Sequence, residues 1–119
     1  MEFVEAPPFT RHLSEYLDED AYRRLQARLG ANPELGDLIP GTGGFRKVRW
    51  ADVRRGKGRR SGLRVIYYHF LADHQIWLMT LYSKDEAPDL TAQEKKSLKL
   101  AIERELTARA EKRGIKPRA

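Results

Sequence analysis

The chain contains no cysteine. That removes disulfide frameworks, thiolate nucleophiles and cysteine-type zinc sites. Histidine is scarce: His12, His69 and His74 are scattered, without the spacing that metal ligands need. Long hydrophobic runs are missing as well. The longest apolar stretches, around Val65–Leu71 and Ile76–Tyr82, are of strand length and too short for a membrane helix. The N-terminal MEFVEAPPF lacks a basic region followed by an apolar stretch, so no secretory signal is visible and a cytoplasmic, soluble protein is expected.

Acid is almost absent from one place. Residues 46–64, RKVRWADVRRGKGRRSGLR, hold nine of the 23 Lys and Arg residues against a single acid, Asp52. Outside it, 14 basic residues face 16 acidic ones, so the formal charge of +6 is one concentrated patch. Such a patch expects a polyanion, most simply nucleic acid. At 119 residues, with 40% hydrophobic and 34% charged side chains, one domain spanning 1–119 is expected, its tail frayed from about 114.

Phe3-Val4-Glu5 reads as a short strand ended by Pro7-Pro8. Phe9, Leu13, Tyr16 and Leu17 then recur at helical spacing. Asp18-Glu19-Asp20 places acids at the positive end of a second helix, striped by Tyr22, Leu25 and Leu29 and stopped by Gly30 and Asn32-Pro33. The pair reads as a helical hairpin with an acidic outer surface. Residues 33–44 are Gly- and Pro-rich and predict a connector. Their GTGG lacks the Gly-Lys-Ser/Thr continuation and the strand–loop–helix setting of a phosphate loop, so a turn is expected.

From residue 45 the period changes to two. Phe45–Ala51, Leu63–Leu71 and Gln75–Lys84 predict three antiparallel strands. Val65, Tyr67 and Leu71 alternate with Ile66, Tyr68 and Phe70, as in central strands covered on both faces. Thr91 and Glu94 form a capping box for a last helix carrying Leu98, Ile102 and Leu106, ending near Arg113-Gly114. The order is β-α-α-β-β-β-α, an α+β domain with a small, largely antiparallel sheet, the helical hairpin on one face and a C-terminal helix.

Strand alternation groups the cations. Lys47 and Arg49 share a face, Arg64 shares one with Ile66, Tyr68 and Phe70, and Tyr82 shares one with Lys84. Were these faces to coincide, four cations and a phenol would line one side of the sheet with no nearby acid. Such a set suits a phosphodiester, neutralising it and stabilising extra charge at a pentacoordinate phosphorus. Crowding also lowers a lysine pKa toward the range useful for proton transfer. Taken singly, such cations are more often a solvated face or protection of strand edges against aggregation. The loop with Arg54, Arg55, Lys57, Arg59 and Arg60 would repel itself unless an anion were bound. Trp50 beside it is the best stacking candidate. Tyr67, Tyr68, Trp77 and His69 are expected to pack. The basic residues of the last helix, among them Lys95, Arg109 and Arg113, are interleaved with glutamates at i, i+4 and read as a salt-bridged surface without a chemical role.

The entry GG-F-R-K-V-R-W and the opening G-L-R-V-I-Y-Y, in this element order, resemble the RelE/HigB toxins of bacterial type II toxin–antitoxin systems. The likeness is closest to the HigB-like branch, where NPELGDLIPGTGGFRKVRW, GLRVIYY and LYSKDE…DLT recur in the same order, and it spans residues 3–106. The resemblance implies a ribosome-dependent endoribonuclease that cuts messenger RNA by attack of a 2′-hydroxyl on the adjacent phosphate, needing no metal or cofactor. It implies that Lys47 and Arg49 supply the candidate base and phosphate contacts, that Arg64 holds the scissile phosphate, and that Lys84 stabilises the transition state or the leaving group. It assigns the loop 54–60 to contact with ribosomal RNA; Arg46 and Trp50, flanking it in the basic stretch, are expected to bind RNA as well. Some members have a tyrosine beyond the last basic position; here Pro88-Asp89-Leu90 stands there, and Tyr82 is the nearest phenol. The resemblance further implies a cognate antitoxin, of helix-turn-helix DNA-binding type and the only route to operator DNA, that covers the patch or blocks ribosome entry. Two alternatives stay open: a ParE-like toxin acting on DNA gyrase, and a plain nucleic-acid-binding module.

Overall fold

The computed structural model describes residues 1–52, 62–87 and 89–114. The elements run β1 (Glu2–Glu5), α1 (Pro7–Tyr16), α2 (Glu19–Ala31), β2 (Asp37–Leu38), β3 (Arg46–Trp50), β4 (Leu63–Phe70), β5 (Gln75–Ser83) and α3 (Ala92–Lys112). One five-stranded sheet has the order β1-β5-β4-β3-β2. β3, β4 and β5 pair antiparallel as expected, whereas β1 lies parallel to β5.

Local chemistry sets the ends. Pro7 and Pro8 occupy the first positions of α1, where a missing N–H costs nothing and the fixed φ suits the helix. They start the helix as much as they end β1. The Asp18 carboxylate caps α2 by accepting the Ala21 N–H at 2.8 Å. Thr91 and Glu94 close a reciprocal capping box on α3, and Gly114 follows its end at φ +75°.

The alternation along β4 divides two cores. Val65 and Tyr67 face α1 and α2, packing with Phe9, Leu25, Leu29 and Leu78. Ile66 and Phe70 face α3, packing with Phe45, Ile39 and Ile102. Leu25, Leu29, Ile66 and Ile102 are essentially inaccessible, each stabilising the fold by about 2 kcal/mol. The hairpin thus covers one face of the sheet and α3 the other. No helix among the described residues is long and apolar enough to cross a membrane.

Four expectations need correction. The connector 33–44 contains a strand, β2, pairing Asp37 with Lys47 and Leu38 with Arg46. Leu71 is 80% exposed, because the chain leaves β4 at Phe70 and turns. Leu106 is 39% exposed and Ile102 is the one buried residue of α3. The hairpin surface is mixed in charge, since Arg11, Arg23, Arg24 and Arg28 are exposed beside Glu15, Glu19 and Asp20.

The connector is pinned from below. The buried Tyr67 hydroxyl donates to Pro33 O at 2.7 Å and accepts from Gly36 N at 2.9 Å. Arg46 donates to Gly36 O at 2.8 Å. A Cβ on Gly36 would stand 2.9 Å from the Lys47 carbonyl, so only glycine lets β2 lie this close. Thr42 then closes the turn into β3, donating to Ile39 O at 2.7 Å and accepting from Phe45 N at 3.2 Å. The glycines of GTGG serve that turn, with Gly43 and Gly44 at φ +76° and +118°.

Candidate active site

The register brings the separate faces together. Arg49 is the cross-strand partner of Arg64, and Arg64 of Tyr82, so the three form one row across β3, β4 and β5. Directly opposed side chains on one face stand roughly 5 Å apart at Cβ. Lys47 lies two residues before Arg49, opposite Ile66, on the same face. That face is the one α3 covers, and Tyr82 packs there with Leu90 and Leu98.

Burial and a neighbouring like charge both act on the row. Arg64 is 3% exposed, and one of its N–H groups donates to Leu63 O at 3.1 Å. Burial, then the Arg49 charge, lowers its pKa, partly offset by Tyr82. Two cations in register, one out of water, favour an anion laid between them. The Tyr82 hydroxyl is buried and has no hydrogen-bond partner among the described residues. Burial and then Asp89 raise its pKa, Arg64 pulls it partly back, and Glu94 adds to the rise. It is therefore a proton-bearing donor at neutral pH, unsatisfied among the described residues.

An acid does stand close, contrary to expectation. Lys47 Nζ lies 3.6 Å from Asp89 Oδ1, because the segment between β5 and α3 folds back to the sheet. The Leu90 N–H, at 2.8 Å, holds the Asp89 carboxyl below its usual range, helped by Lys47 and Lys95. No local pattern links Lys47 to Asp89, so only the fold reveals the pair.

The remaining expected site residues divide. Lys84 is exposed just past β5, its N–H donating to Gly62 O at 3.0 Å; it stands beside the row's end at the base of the basic loop. Arg46 and Trp50 alternate to the opposite face, Arg46 held by connector carbonyls and Trp50 packed on the hairpin-side core. Arg54, Arg55, Lys57, Arg59 and Arg60 lie outside the described residues. His69 is half-buried with its pKa lowered by burial. Among the described residues, no three His, Asp or Glu side chains are grouped to hold a metal ion. Arg109 of α3 is structural: it lies 3.7 Å over the Phe70 ring and pairs with Asp73 and Glu105 at 2.8 Å each.

No family model matches this sequence. Several solved structures share the fold, two of them E. coli RelE structures. The intact E. coli RelBE toxin–antitoxin complex contains a chain 11% identical, matched over 69% of this chain and 94% of that one with a TM-score of 0.50. A double arginine-to-alanine mutant of E. coli toxin RelE in the free state is 15% identical over 85% of this chain and 95% of that one, with a TM-score of 0.50. Identity this low speaks for architecture alone, and the architecture is that of the RelE fold.

Proposed function

We propose that this chain is the toxin of a type II toxin–antitoxin system and acts as a ribosome-dependent messenger-RNA endoribonuclease. The observation that carries the reading is the row Arg49–Arg64–Tyr82 on a RelE-like sheet. Arg64 and Arg49 hold the non-bridging oxygens of the scissile phosphate and stabilise the charge that builds up when it becomes pentacoordinate. The 2′-oxygen attacks phosphorus as its proton passes to the Asp89 carboxylate, which Lys47 holds at 3.6 Å. The bond to the 5′-oxygen breaks, leaving a cyclic phosphate and a 5′-hydroxyl protonated with the help of Lys84. Tyr82 donates a hydrogen bond to the phosphate and so satisfies its orphaned hydroxyl.

An antitoxin partner follows by analogy with the RelBE complex. Primer extension on a message translated in a cell-free extract tests the reading. Cuts that need ribosomes and fall by about 100-fold or more in Arg64→Ala support it. Intact message with inhibited DNA supercoiling points to the gyrase-directed alternative.

A further inference from the structure

We propose that the cleft at the outer edge of β3 is a second nucleotide subsite, which takes an unstacked nucleotide of the RNA strand whose phosphate lies on the catalytic row. This rests on the nuclease reading for the strand's identity, but not for the cleft's ability to bind RNA. β2 pairs only with Arg46 and Lys47, so among the described residues no strand covers β3 from Val48 to Trp50. The gap is a cleft of about 410 Å³, within the range of small-ligand sites.

Its lining has the chemistry of a nucleotide site. Leu35, Val48 and Trp50 give an apolar, aromatic wall, which suits a base laid against a ring. Arg28, Lys47 and Arg49 supply cations, and Arg28 reaches in from the last turn of α2, where it is exposed. Asp37, the cross-strand partner of Lys47, is the one acid and can accept from base amino or imino groups. Lys47 and Arg49 belong to both places, on the row's face by alternation and at the cleft by their edge position. A strand anchored at Arg64 and continuing over Arg49 therefore meets this cleft next. An acidic peptide would use the cations but leave the aromatic wall without a ring to stack.

The full chain carrying Trp77→Phe reports on Trp50 alone, since there are two tryptophans. Its fluorescence is followed while a short 2′-O-methyl RNA, which cannot be cleaved, is added at several salt concentrations. The expected result is quenching of Trp50, with Arg28→Ala weakening binding about fivefold and lowering the salt slope by about one ion. Arg23→Ala, an exposed arginine of the same helix that pairs with Asp20, should leave both unchanged. Absence of quenching, or equal binding by the Arg28 and Arg23 variants, overturns the subsite. Displacement of the RNA by polyglutamate that reproduces the quenching and its dependence on Arg28 also overturns it, in favour of a peptide. Quenching that depends on Arg28, together with uncut message in the translation assay, leaves the subsite standing and overturns only the nuclease reading.

Discussion

Among single residues, Arg64 and Tyr82 place polar groups inside the protein. Arg64 is a guanidinium taken out of water opposite another, and the Tyr82 hydroxyl is buried without a partner among the described residues. An unsatisfied buried hydroxyl costs on the order of 1–3 kcal/mol. Tyr82→Phe should therefore raise the unfolding free energy by about 1 kcal/mol while slowing cleavage about tenfold. Denaturant titration and primer extension on one preparation check this; a destabilised variant of full activity contradicts it. Asp89 belongs to the same scale. Alternation and charge counting find Lys47, but nothing near Lys47 in the chain announces the carboxylate that meets it at 3.6 Å. That acid arrives from the segment between β5 and α3, and pairing of this kind is set by where the chain folds back.

At the scale of elements, two ties hold the site's surroundings. Tyr67 clamps the connector that carries β2, so Tyr67→Phe should cost about 1–3 kcal/mol and loosen the edge of β3. Hydrogen exchange should then accelerate at Asp37–Leu38 and Arg46–Lys47 ahead of β4; uniform acceleration would argue against a local clamp. The second tie is Arg109, which joins α3 to the β4–β5 turn through Asp73. The hydrogen bond from Arg109 chiefly holds the Asp73 carboxyl below its usual 3.8. A depressed folded-state pKa contributes stability that is complete above the unfolded value and lost as pH falls through the folded one. The last turns of α3 should thus exchange faster below about pH 4, relative to their first turns, and Arg109→Met should abolish that difference. Most elements were legible because their signals are local: the box at Thr91–Glu94, the acids at Asp18–Asp20 and the two-residue period of β4. β2 was not, since Asp37 and Leu38 become a strand only through Tyr67, Arg46 and the room left by Gly36. The row itself was half legible. Alternation gives each strand's face, but whether Arg49, Arg64 and Tyr82 coincide depends on register, which the turns and the bulge at Ile66/Tyr67 decide.

At the scale of the whole molecule, charge and fold make separate contributions. The fold aligns one buried and one exposed arginine with a phenol across three strands, while nine of the 23 basic residues fall within 46–64, the stretch proposed to meet the RNA. Binding to ribosomes should consequently weaken steeply with salt. Arg64→Ala should barely change that slope, because Arg64 is buried and would engage only the phosphate being cut. Sedimentation with ribosomes at increasing potassium chloride measures it, and a slope cut to half by this one change would contradict the division. The Arg49–Arg64–Tyr82 row is proposed to cut RNA on the ribosome, and primer extension on a translated message reads that cut. Wild-type protein should give discrete stops only when ribosomes are present, and a folded Arg64→Ala/Lys84→Ala protein that still binds ribosomes should give none. Undiminished stops from that double variant would contradict a catalytic role for the row.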